Sequence, residues 1–132
     1  MQWVELKHLL GSKYRYNKWM SEGEVERLKR ETPADFSDRT AASLTVGCVR
    51  IDAVLFQAGG QLRLGYDVFV KDDPGSPEWI CYDSLEEDAI LDERWMFSSL
   101  NRVVKENGLS YTECCFERLD GKTVKKEQAL QT

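Results

Sequence analysis

Polar and apolar residues alternate with a period of two from Leu44 to Lys71, and the fold is read outward from this stretch. The first arm, about residues 44–57, places Val49, Ile51, Ala53 and Leu55 on one face and Cys48, Arg50, Asp52, Val54 and Phe56 on the other. In the second arm, about 61–71, Leu62, Leu64, Tyr66, Val68 and Val70 oppose Arg63, Gly65, Asp67 and Phe69. Between them, Gly59-Gly60 supplies the positive φ angles of a tight hairpin turn.

Elements on either side follow from capping and periodicity. Trp3, Leu6, Leu9 and Leu10 have the spacing of a short helix ended by Gly11. Ser21 and Glu24 form a capping-box pair at the start of a second short helix, which Thr32-Pro33 stops. Turn formers then dominate from Glu31 to Thr40. Past the hairpin, Asp72 to Pro77 reads as a turn and Glu78–Tyr82 as a strand. A long helix is expected over about 85–107, opened by Ser84 and Glu87 and ended by Asn107-Gly108. Its apolar face has one conflict, because Glu93 falls inside the buried arc while Leu91 and Trp95 fall outside it. A helix break with Asp92 as a new N-cap resolves this; pairing of Glu93 with Arg50 or Arg63, or a functional Glu93, are the alternatives. A last strand is read near 110–119. The sum is an α+β protein: an antiparallel sheet built on the hairpin, a long helix packed on one face, and short N-terminal helices.

Composition fits one soluble domain over 1–132, with a polar tail frayed from about 121. Of the 132 residues, 42% are apolar and 31% charged, enough for a real core. No apolar run reaches the roughly 20 residues of a membrane helix, and the N-terminus lacks signal-peptide order, so a cytoplasmic protein with no membrane partner is expected. Cys48, Cys81, Cys114 and Cys115 have no metal-site spacing and read as buried thiols in strands.

Charge changes this picture more than composition does. Net charge is −5, yet Lys71 to Glu93 alone holds nine acids against one base. An acidic surface over 72–93 is therefore expected to bind a basic macromolecular partner, with Asp83, Glu86, Glu87 and Asp88 supplying charge and Trp79, Leu91 and Trp95 supplying anchors. A small regulatory protein of this make-up could inhibit a nucleic-acid-binding protein. The alternative is a single-stranded nucleic-acid platform in the segment Lys13, Tyr14, Arg15, Tyr16, Lys18 and Trp19, where cations interleave with rings. Extended, that segment puts Lys13, Arg15 and Asn17 on one face and the tyrosines on the other, which also describes an ordinary edge strand.

Catalytic signatures are sparse. His8 is the only histidine, and neither a P-loop nor a dinucleotide fingerprint occurs. One enzymatic arrangement remains: Asp52 and Asp67 become near neighbours on the less apolar hairpin face if the loop spans 58–60, beside Arg50 and Arg63. A solvated ion network accounts for the same residues. The sequence leans away from an enzyme, indicates no cofactor or metal, and leaves oligomeric state open.

Overall fold

The computed structural model describes residues 14–71, 75–85 and 88–111. Its elements in chain order are β1 (Tyr14–Lys18), α1 (Glu22–Glu31), β2 (Arg39–Val46), β3 (Val49–Ala58), β4 (Gln61–Val70), β5 (Ile80–Leu85) and α2 (Glu93–Asn107). The strands form one antiparallel sheet in the order β1-β2-β3-β4-β5. The expected α+β class holds at this level. The expected N-terminal helix over residues 2–10, the 72–74 turn, residues 112–119 of the last strand and the tail lie outside the described residues. Ser110 and Tyr111, the described start of that strand, are not extended into the sheet.

Three boundaries differ from the sequence reading. The first arm is two strands, because Gly47, at φ +58°, and Cys48 make a turn between β2 and β3. The alternation records this: Leu44 and Val46 are buried at even positions, Val49, Ile51, Ala53 and Leu55 at odd ones. A two-residue turn shifts the phase by one, so both arms keep their apolar sides on the core. The long helix starts at Glu93, not at 85. Asp92 caps it, its Oδ1 accepting from the Trp95 N–H at 3.1 Å, which puts Glu93 in the first turn as the break reading requires. Ser84, expected to open that helix, belongs to β5. Finally, the strand expected over 78–82 is β5, Ile80–Leu85; the segment 14–18 is the edge strand that one of its two readings described, paired to β2.

The hairpin β3–β4 turns on Gly59 and Gly60, at φ +62° and +79°, as a two-residue turn with both central residues left-handed demands. The loop is therefore one residue shorter than the 58–60 expected, and Ala58 pairs Gln61. Gly65 has a steric reason: a Cβ there would lie 3.0 Å from Phe56 Cε1 and 3.1 Å from the Leu85 carbonyl oxygen.

One sheet face carries the core. Leu44, Ile51, Leu55, Tyr66, Val68 and their neighbours are sealed by Met96, Leu100 and Val103 of α2 and by Val25 of α1. Helix α1 packs on β4 and α2 on β2 and β3. Helix α1 is capped as expected, Ser21 Oγ accepting from the Glu24 N–H at 3.1 Å; Thr32, in a left-handed conformation, ends it. Between β5 and α2, residues 88–92 cross the edge of the core. Tyr66 fixes them: its hydroxyl donates to the Ile90 carbonyl at 3.2 Å and accepts from the Ile90 N–H at 3.0 Å. Tyr16 adds a bond to the Leu91 carbonyl at 2.5 Å, and the Ala89 N–H bonds the Leu64 carbonyl at 2.9 Å. Cys48 is buried as expected, though in a turn and not a strand; Cys81 lies in strand β5 as expected but is exposed; Cys114 and Cys115 lie outside the described residues. No helix among the described residues is long and apolar enough to cross a membrane.

Candidate binding groove on the open sheet face

The opposite face of the sheet is built from the polar members of each strand, and no described helix covers it. Register aligns them in two cross-strand rows. Arg15, Thr45, Arg50, Phe69 and Cys81 form one row. Asn17, Ser43, Asp52, Asp67 and Ser84 form the other. Directly opposed residues of neighbouring strands point the same way, so each row is a continuous strip of side chains.

A groove of about 490 Å³ runs over the β1–β3 end of these rows. Arg15, Asn17, Ser43, Thr45 and Arg50 form its floor, and Trp19, Lys71 and Trp79 rise around it. This size falls within the range of ordinary ligand sites, about 300–1,000 Å³. Three cations face it. The Arg50 guanidinium lies 4.2 Å from the Phe69 ring centre and 5.0 Å from that of Trp79. Lys71 Nζ sits 4.8 Å from the Trp79 ring centre. Phe69, Arg50, Trp79 and Lys71 thus form one run of stacked charge and ring, which holds two flexible cations in place. Arg15 has no carboxylate partner among the described residues. Trp19 is 59% exposed, its ring open to solvent, while its backbone N–H is fixed to the Ala41 carbonyl at 2.8 Å.

Beneath Arg50 lies the second row. Ser43 Oγ donates to Asp52 Oδ1 at 2.7 Å, and Ser84 Oγ donates to Asp67 Oδ1 at 2.9 Å. Asp52 and its partner Ser43 are each only 7% exposed. Burial raises the Asp52 carboxyl above the ordinary 3.8; the Ser43 hydroxyl and the Arg50 charge pull it down, and Asp67 pushes it up again. Arg50 Nε is 3.1 Å from Asp52 Oδ1, but its N–H is not aimed at the carboxylate. The contact is an ion pair, and it leaves a buried donor without an acceptor among the described residues.

The basic-aromatic segment divides between the two faces. Arg15 and Trp19 reach the groove. Tyr16 turns inward to Leu91, and Lys18 pairs with Glu22 at 2.8 Å, so neither lines the groove. Burial raises the Tyr16 phenol, opposed by Lys18 and assisted by Asp92 and Glu22. Tyr14 pairs Val46 through its backbone, and Lys13 lies outside the described residues. Residues that the sequence left out of this site come from β2, β3 and the β4–β5 connection: Ser43, Thr45, Arg50, Lys71 and Trp79.

The acidic set is rearranged more heavily. Asp83, Asp88 and Trp95 are exposed. Leu91 is only 2% exposed, so it is core and no surface anchor; Tyr16 and Tyr66 hold the backbone that turns it inward. Trp79 carries the cations Arg50 and Lys71 of the groove. Glu86 and Glu87 lie outside the described residues.

Asp52 and Asp67 are directly opposed across β3 and β4, one residue off the register expected. Each carboxylate takes a serine hydroxyl, and among the described residues no cluster of three histidine, cysteine, aspartate or glutamate side chains forms around them. Asp52 is largely buried, with its Oδ1 3.1 Å from Arg50 Nε. Comparison with family models, curated proteins and solved structures finds no match to this chain.

Proposed function

We propose that the chain is a non-catalytic binding module whose open sheet face holds a short single-stranded stretch of nucleic acid. The observation behind this reading is the groove itself: Arg15, Arg50 and Lys71 converge with Trp19 and Trp79 on one concave surface. Backbone phosphates need fixed cations, and unstacked bases need flat, accessible rings. Trp19 offers such a ring, since no described cation occupies its face. Trp79 and Phe69 already carry Arg50, which positions the guanidinium for a phosphate. The polar floor of Asn17, Ser43 and Thr45 adds neutral donors and acceptors for sugar and base edges.

Titration with single-stranded oligothymidylate at low salt tests this, read by tryptophan fluorescence. Quenching is expected, with most of the signal lost in Trp19→Phe, because base–aromatic stacking contributes about 1–3 kcal/mol per base. Lys71→Glu should weaken binding without changing the fold. An unquenched spectrum in the wild-type protein at low salt refutes the reading.

A further inference from the structure

Among the described residues three large hydrophobic side chains are exposed: Trp19 at 59%, Ile90 at 45% and Trp95 at 48%. Trp19 belongs to the groove. Ile90 and Trp95 lie on the helix-bearing side, five positions apart across the Asp92 cap. The exposure of Ile90 is imposed by the fold. Its own N–H and C=O are both bonded to the Tyr66 hydroxyl, and its neighbours Ala89 and Leu91 are buried. An apolar side chain on such fixed backbone is presented to solvent in one place, which is the condition under which it binds at low ordering cost.

The ground beside Ile90 is a shallow cleft of about 180 Å³ between α1 and residues 89–91. Val25, Leu64, Ala89 and Leu91 line its apolar floor, and Glu22, Glu26 and Lys29 its rim. Asp88 and Asp92 flank Ile90 in sequence, and both are exposed. Lys18 and Lys29 pair with Glu22 and Glu26, at 2.8 and 3.9 Å. Those are exposed pairs within or beside one helix turn, worth a few tenths of a kcal/mol and exchangeable for an incoming cation.

We infer that Ile90, Trp95 and this cleft are a docking surface for a basic protein segment, one that sets a lysine or arginine beside a large apolar side chain. The aliphatic stem of such a cation fits an apolar floor while its head meets carboxylates at the rim. An apolar anchor next to it covers Ile90 and Trp95, whose size makes them candidates for most of the binding energy. A nucleic acid or an anionic membrane is disfavoured by the same carboxylates. The surface stands apart from the groove, so it does not depend on the nucleic-acid reading.

The probe is a short fluorescein-labelled peptide alternating lysine and leucine, followed by anisotropy. Wild-type protein is expected to bind it with salt-sensitive affinity. Ile90→Ser and Trp95→Ala should each weaken binding about tenfold or more, with circular dichroism unchanged. Lys71→Glu and saturating oligothymidylate should leave it intact. Equal binding by Ile90→Ser with Trp95→Ala, equal binding of a lysine–serine peptide, or loss of binding in Lys71→Glu overturns the proposal. So does a concentration-dependent dimer abolished by Ile90→Ser, which would make a second copy the occupant. Binding seen only after residues 121–132 are removed would also overturn it, assigning the surface to the chain's own basic segment.

Discussion

Asp52 is a buried carboxylate on the open face of a sheet, and its protonation reports how that face is balanced. Burial is the largest influence and raises its carboxyl above 3.8; Ser43 and Arg50 offset part of it. A carboxyl raised in the folded state binds its proton more tightly there than in the unfolded chain. Its stabilising contribution is complete below 3.8 and is lost as pH climbs through the raised value. Asp52→Asn carries no such titration. The stability of wild type relative to Asp52→Asn should therefore decline as pH rises from 3.8 through the raised value. Urea midpoints for both proteins at several pH values check this, and a gap that is constant or widens in favour of wild type would show that Arg50 compensates the burial fully. Little of this was visible in sequence. Asp52 and Asp67 were recognised as neighbours, but burial depends on Arg50 lying over Phe69 and Trp79, residues 19 and 29 positions away from it in the chain.

At the scale of elements, local signals located what local physics controls. The Ser21 cap, the paired glycines of the hairpin and the alternation of β4 all act within a few residues, and all were legible. The turn at Gly47-Cys48 was also written in the sequence, as a phase slip from even to odd apolar positions, but a long alternating run concealed it. Residues 88–92 could not be read this way. Leu91 looked like an exposed anchor because a continuous helix from 85 would turn it outward. Hydroxyls from Tyr16 and Tyr66, far away in sequence, turn it inward instead. Tyr66→Phe tests that account. It keeps the ring in the core and removes two bonds, leaving the Ile90 N–H and C=O without their partner. A loss of about 1–3 kcal/mol is expected by chemical denaturation, with faster amide hydrogen exchange at Ile90 than at core strand positions. If stability falls but exchange at Ile90 stays slow, the loop has another anchor.

At the scale of the described molecule, the sheet separates two surfaces of different make-up. One face offers Arg15, Arg50 and Lys71 around exposed or cation-bearing rings. The side with the helices offers Ile90 at a cleft rimmed by Glu22, Glu26 and Lys29, with Trp95 exposed on α2. A net charge of −5 alone argues against any nucleic-acid partner, since the average field repels phosphate. Screening decides between the average and the local field. At physiological salt the Debye length is about 8 Å, so a phosphate lying in the groove feels its nearest cations far more than acids on the opposite face. The contest is closer at low salt, where the acids act at longer range. Single-stranded binding through three cations predicts log affinity falling by about two for each decade of added salt. Removing one contact by Arg15→Gln should flatten that slope by roughly 0.7 while leaving Trp19 quenching at saturation unchanged. Repulsion from the acidic side adds an opposite trend at the lowest salt, so affinity should pass through a shallow maximum before it falls. Equilibrium titrations of wild type and Arg15→Gln over a wide salt range measure both effects. A slope near zero in wild type would mean that phosphates are not the groove's ligand, whatever the rings contribute.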